Sequence, residues 1–386
     1  MYGFRKGNQH LSLAEIQKFE VEYAPTMQRR REKWDALLRE YSNGQLPPLS
    51  SKVRRFIRKG IPPHLRGQCW LHYSGAMEYM KKNRGRYQQL VALSSDRKYR
   101  EHRDLIERDL HRTFPENIQF TSAAPSTLVR RRASPVTSRF RQQPTSSTVP
   151  ILQQLRRVLT AFAVRCPSVG YCQSLNYVVG LLLLFMSEEE AFWMLCTIVE
   201  RIMPEGMYGV KMEGVTVDQE VLMRLLEERM PAIGHRLSRD SAEAGAPPVT
   251  FVTSHWFLTL FVDVLPVESN LRVWDCLFLE GSEVLFRVAL TLFKMHEQQI
   301  CAIDDPLELF QYLQNMPKRI VNCHWLMENC FRKYTSMTHV NAKELERRRK
   351  HARDVTLRRL STTTSAAAEP APAPTRGESV AALFRL

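Results

Sequence analysis

Apolar side chains at Ile151, Leu152, Leu155, Val158, Leu159, Phe162 and Ala163 recur with the period of an α-helix. They form one stripe about 100° wide, which needs a packed partner on that side. Comparable stretches run through the chain, and none alternates in twos as a half-buried strand does. Helix starts are spelled out as well. Ser187 with Glu190 and Thr216 with Gln219 read as capping boxes, and Asp305–Pro306 opens LELFQYLQNM with proline where its missing N–H costs nothing. Pro115, Pro167, Pro204, Pro231 and Pro266 punctuate between helices. The expectation is an all-α protein of a dozen or more helices.

The most apolar run, Leu175 to Met186, is short of the roughly 20 residues that span a bilayer, so it reads as a buried core helix. Val249 to Leu265 reads as a second buried helix. The start of the sequence is polar and the eight cysteines form no CxxC pair, which suggests a reduced, cytoplasmic protein.

The net charge of +15 sits unevenly. Residues 1–59, 121–150 and 338–360 are strongly basic, whereas residues 151–337 carry a small acidic excess. A nucleic-acid-binding core would place the positive charge on its folded face, so nucleic acid is not expected as a partner. Basic arms of this kind suit solubility or a weak pull towards acidic membrane surfaces. Residues 121–150 are rich in Ser, Thr, Pro and Arg and read as a disordered insert, in which Ser134 after three arginines suits a basophilic kinase. The tail, 361–386, is of low complexity. Residues 336–360 read as a basic helix, solvated or turned towards an acidic partner.

No nucleotide-binding glycine loop with Lys and Ser/Thr, no GxSxG and no HExxH occurs. Three motifs remain. In GIPPHLRGQCW, Arg66 and Trp70 are four apart and share a helical face. In LIERDLHRTFPEN, Ile106 and Leu110 point inward, Asp109 and Arg112 lie within side-chain reach, and Pro115 ends the helix. In VGYCQSLN, Tyr171 and Gln173 lead into the Leu175 run, which puts Gln173 near a helix N-terminus, where backbone amides favour anionic oxygens. Taken singly, these read as a packed Trp, a surface ion pair and an uninformative tripeptide.

In this order, the three motifs resemble the TBC-domain GTPase-activating proteins of Rab-type small GTPases. HWFLTLFVDVLPVESNLRVWDCLFLEGSEVLFRVAL continues the likeness, which covers about residues 55–335. REKWDALL and KMEGVTVDQEVL narrow it to one branch of the family. The resemblance implies a two-lobed, V-shaped helical domain. Its first lobe would be about 55–245 and its second about 246–335, preceded by a helical extension, 1–54. It implies a GTP-bound Rab-type partner that brings its own GTP and Mg, so no cofactor or metal is expected on this chain. Carried over by position, Arg112 matches the arginine finger and Gln173 the glutamine finger. Asp109 and Tyr171 match supporting positions, Asp109 holding Arg112 or Arg66. Arg66 braces the site or meets the partner, and Trp70 packs. Family members usually have Gly and Met where this chain has Ser174 and Leu175. That departure and the insert keep a second reading open, a catalytically weak Rab-binding or scaffold module.

Overall fold

The stripe at residues 151–163 becomes the central helix of the first lobe. In the computed structural model, which describes residues 2–4, 10–41, 45–121, 149–242 and 249–366, the chain first runs through nine α-helices. They are α1 (Leu13–Arg39), α2 (Ser51–Lys59), α3 (Arg66–Tyr73), α4 (Ala76–Lys82), α5 (Arg86–Leu93), α6 (Arg100–Leu110), α7 (Pro150–Arg165), α8 (Leu175–Leu182) and α9 (Glu188–Thr197). Leu155, Val158, Leu159 and Phe162 of α7 are wholly buried, packed among α5, α6, α8 and α9. Each such side chain contributes about 1.5–3 kcal/mol relative to an exposed one.

The chain continues through α10 (Glu213–Arg229), α11 (Pro231–Ala242), α12 (Val249–Leu258), α13 (Val267–Glu280), α14 (Glu283–Met295), α15 (Glu297–Ala302), α16 (Pro306–Asn315), α17 (Cys323–Glu328), α18 (Thr335–Thr338) and α19 (Ala342–Ala366). The second lobe is centred on α13 and α14, and Trp256, Phe257, Phe261, Phe286 and Phe293 fill its interior. Among the described residues there is no strand, only an isolated bridge between Phe4 and Asn117. No helix among them is long and apolar enough to cross a membrane.

The Ser187–Glu190 box and the Asp305 cap form as expected. The Thr216–Gln219 box does not. Helix α10 starts four residues earlier, after Met212 in a left-handed conformation, and Thr216 bonds back to the Met212 carbonyl from inside the helix. Val249–Leu265 is likewise not one helix. It stops at Leu258 because Leu260, Phe261 and Asp263 all take positive φ, which turns the chain towards α13. Helix α8 ends at Leu182, short of Met186. The basic C-terminal helix is docked rather than solvated. Leu345 and Ala352 are buried, Arg349 forks onto Asp218 at 2.6 and 2.8 Å, and Arg348 forks onto Glu228 at 2.9 and 2.7 Å. Residues 122–148, with Ser134, and the tail from 367 lie outside the described residues.

The lobes meet at a buried ionic cluster. Arg66 of α3 is fully buried and donates to both oxygens of Glu268 at 2.8 and 3.0 Å and to Asp275 at 3.3 Å. Trp70 Nε1 and the Ile61 N–H also donate to Asp275, at 3.0 and 3.1 Å. The Tyr2 hydroxyl completes the cluster, accepting from Arg66 at 2.7 Å and donating to Glu268 at 2.8 Å. Arg66 therefore has no surface to offer an approaching protein. Its motif joins helix α3 to α13, and the Trp70 ring packs against Phe185, Trp274 and Phe278 as expected of a core residue.

Candidate functional site

Helix α6 buries Ile106 and Leu110 and stops at Leu110, so Arg112 falls just beyond its end. Phe114 turns there with φ +48° and Pro115 prevents a further turn of helix. The Arg112 side chain is 41% exposed, while Asp109, one turn back, is buried. Its carboxylate accepts a hydrogen bond from the Arg112 guanidinium on one oxygen. The other oxygen accepts from the Tyr171 hydroxyl at 2.5 Å. Burial and the Asp109 charge push the Tyr171 phenol well above its ordinary pKa, so it remains a donor at any physiological pH.

Gln173 lies two residues beyond Tyr171, in the turn that enters α8. Gly170 makes that turn possible: its φ is +61°, and a Cβ there would stand 2.4 Å from the His102 ring. A second tie follows on the other side of Gln173. The Ser174 N–H donates to the Asn176 side-chain oxygen at 3.2 Å, and the Asn176 amide donates to Thr113 Oγ1 at 2.9 Å. Thr113 in turn donates to the Asp109 carbonyl at 2.8 Å. Gln173 is thus flanked by two ties, Tyr171 to Asp109 and Asn176 to Thr113, and Arg112 lies between their two anchor points. Segments about 60 residues apart in sequence are fixed to each other at the residues adjoining Arg112 and Gln173.

Of the five expected site residues, the structure gathers Asp109, Arg112, Tyr171 and Gln173. Arg66 belongs to the lobe junction, and Asp109 holds Arg112 and Tyr171, not Arg66. Sequence reasoning missed Thr113 and Asn176. The one available signal was Asn176, an amide at the start of an otherwise apolar helix. It also missed the N-terminal arm. Phe4 packs edge-on against Phe114 with ring centroids 5.3 Å apart, the Asn117 amide donates to the Tyr2 carbonyl at 2.9 Å, and Ile118 N–H donates to Gly3 at 3.0 Å. The arm therefore backs the loop that carries Arg112. A cavity of about 630 Å³ opens beside Arg112, walled by Phe114, Tyr177, Val262, Asp263 and Leu265. Among the described residues no group of three or more His, Cys, Asp or Glu side chains could hold a metal ion.

Ser174 takes φ +115° although it carries a side chain. Such a conformation costs a non-glycine residue about 1–3 kcal/mol. Ser174→Gly should raise stability by about that amount, read as a higher urea midpoint at unchanged slope. An unchanged midpoint would mean that the turn relaxes to accommodate serine.

An all-α, two-lobed domain in which the segments carrying Arg112 and Gln173 are tied to each other, with Arg112 beside an open cavity, defines the class. The chain belongs to the Rab-GTPase-TBC domain family, whose model matches residues 134–301. It is 37% identical to human growth hormone-regulated TBC protein 1, over 86% of this chain and 88% of that one, the branch to which REKWDALL and KMEGVTVDQEVL pointed. It is 34% identical to GTPase-activating protein GYP3 of Saccharomyces cerevisiae, over 90% of this chain but only 62% of GYP3, so it spans less than two thirds of that relative's length. Its fold is similar to the crystal structure of the Chlamydomonas flagellar RabGAP TBC domain, with TM-score 0.67, 26% identity, and coverage of 86% of this chain and 97% of that one.

Proposed function

We propose that this chain accelerates GTP hydrolysis on a GTP-loaded Rab-type small GTPase, acting in trans. GTP and Mg are the partner's. Arg112 enters the partner's nucleotide site and offsets the charge that spreads over the phosphoryl oxygens in the transition state. Gln173 orients the attacking water by hydrogen bonding, in place of a glutamine of the GTPase. Asp109 and Tyr171 are positioning residues: one carboxylate fixes the guanidinium and, through the phenol, the loop that bears the amide. The observation that carries this reading is the double tie across Arg112 and Gln173. Relatives named GTPase-activating proteins support it. The same reading puts the chain in the cytoplasm, peripheral to the endomembranes where such a partner resides, with weak contact to acidic lipid.

The test is single-turnover hydrolysis across a panel of GTP-loaded Rab-type GTPases. At least one should be accelerated by about 10³-fold or more. A panel with no responder removes the reading. The Ser174 backbone favours one second reading, a module that binds the GTPase with a mis-set Gln173. GTP-dependent binding without acceleration, converted to turnover by Ser174→Gly, would establish it.

A further inference from the structure

Residues 2–4, Tyr-Gly-Phe, stand ahead of α1 and belong to no helix. Tyr2 takes φ +54° although it carries a side chain, a conformation that persists where neighbours over-determine it. Its ring packs against Phe185 with centroids 5.2 Å apart, and its hydroxyl sits in the Arg66 cluster. Gly3 takes φ +87°, and a Cβ there would stand 2.6 Å from Asn117 Oδ1, so the arm lies this close to the loop only with glycine at this position. Phe4 makes an antiparallel bridge with Asn117 and lines the cavity beside Arg112.

The weight these contacts carry depends on what else holds the loop 114–121. Upstream, the loop continues from α6, where Asp109 and Thr113 are tied to the Gln173 segment. Further along, its hydrogen bonds mostly close on itself. The N–H of fully buried Asn117 donates to the Phe114 carbonyl at 2.9 Å, Gln119 N–H donates to Asn117 Oδ1 at 2.9 Å, and Phe120 N–H donates to the Asn117 carbonyl at 3.0 Å. Among the described residues, every hydrogen bond from 114–121 to another part of the chain ends on Tyr2 or Gly3. The Phe114 ring, at the turn two residues past Arg112, meets Phe4 and Tyr177 with centroids 5.3 and 5.9 Å away. Helix α6 anchors one end of the loop and the arm anchors the other. A catalytic group misplaced by about 1 Å through a distant change can lose about a hundredfold in rate, so the second anchor bears on the finger.

We propose that Tyr2, Gly3 and Phe4 are positioning residues for Arg112: they serve as a built-in peptide ligand of the loop 114–118 and hold the guanidinium where the GTPase needs it. This rests on the catalytic reading above. The three residues act through the loop, not on the nucleotide.

The experiment is single-turnover hydrolysis on a responding GTPase with the full chain at varied concentration, comparing the wild type with Phe4→Ala, Gly3→Ala and the two combined. Tyr2 is left intact because its hydroxyl also serves the lobe junction. The maximal rate should fall about tenfold in each single variant and about a hundredfold in the combined one. The half-saturating concentration should change less than about twofold, since the interaction lost is one made in the transition state. Phe4→Leu, which keeps an apolar side chain against Phe114, should recover most of the rate. Amide exchange at Ile118, whose N–H the Gly3 carbonyl takes, should speed about tenfold in Phe4→Ala and Gly3→Ala, with the amides of α7 unchanged. Wild-type maximal rates in the arm variants of an active protein overturn the positioning role alone. A loss of rate matched by a rise in the half-saturating concentration, or by a lowered thermal transition, also overturns it, because the arm would then belong to the docking surface or to the fold. A wild type that accelerates no GTPase removes the catalytic reading and this role with it.

Discussion

Arg112→Ala is expected to lower stimulated GTP hydrolysis by about 10³- to 10⁵-fold, and to do so without unfolding the protein. That range corresponds to about 4–7 kcal/mol at 1.36 kcal/mol per decade. The two halves of the expectation have separate causes. In the free protein Arg112 is 41% exposed and bonds to Asp109 three residues away, an arrangement whose loss costs stability no more than about 1 kcal/mol. In the complex the same guanidinium stands against developing negative charge in a site emptied of water, where an electrostatic contact is far stronger. The deficit should therefore appear in the maximal single-turnover rate, with the thermal transition nearly unmoved. Gln173→Ala should lose about 10²–10³-fold, the range for removing one positioned polar group from a transition state. Tyr171→Phe should fall well short of both, since Asp109 still holds Arg112. If Arg112→Ala matches the wild type on a GTPase that responds, the cation offered to the partner is a different one.

What the sequence made legible was periodicity and local chemistry. The stripe from Ile151 to Ala163, the Ser187 box and the end of α6 before Pro115 all depend on neighbours within a turn or two, and each stands as read. The failures share one cause, a distant partner. Thr216 and Gln219 spell a cap, but Gln219 instead accepts from Thr253 on α12, and the helix begins at Glu213. Nothing between Val249 and Leu265 resembles a turn, because Leu260, Phe261 and Asp263 adopt positive φ under the demands of packing. Arg66 stands in a motif that looks functional, and its spacing gives no hint of two carboxylates more than 200 residues downstream. At the site, Asp109 with Arg112 was visible as a three-residue spacing and Gln173 as a residue near a helix start, while the role of Gln173 entered only through family resemblance. The ties that fix their geometry, Tyr171 to Asp109 and Asn176 to Thr113, cross between helices and have no signature along the chain.

The cluster around Arg66 carries the largest expected effect on stability. Asp275→Ala should cost about 3–5 kcal/mol, the range for breaking a buried ion pair by removing one partner. The reason lies in what remains. Asp275 accepts from Trp70 Nε1, from the Ile61 N–H and from Arg66, and all three donors are buried. Removal orphans two neutral donors at about 1–3 kcal/mol each and leaves Arg66 with Glu268 as its remaining carboxylate. The gross sum exceeds the expected cost because water and small shifts re-solvate part of the space. The loss should also reach the site, since Arg66 bonds the Tyr2 hydroxyl and the Tyr2 carbonyl holds Asn117 in the loop behind Arg112. Stimulated hydrolysis should therefore decline in Asp275→Ala at temperatures where the chain is still folded. Replacing the pair together, as Arg66→Met with Asp275→Leu, should recover little of the stability, because buried Glu268 then loses Arg66 and buried Arg272 loses Asp275. Chemical denaturation of the wild type and the two variants decides the matter. If Asp275→Ala unfolds at the wild-type midpoint, apolar packing alone joins the lobes. If the double variant unfolds at the wild-type midpoint, the ion pairs of the cluster add nothing beyond what apolar packing supplies.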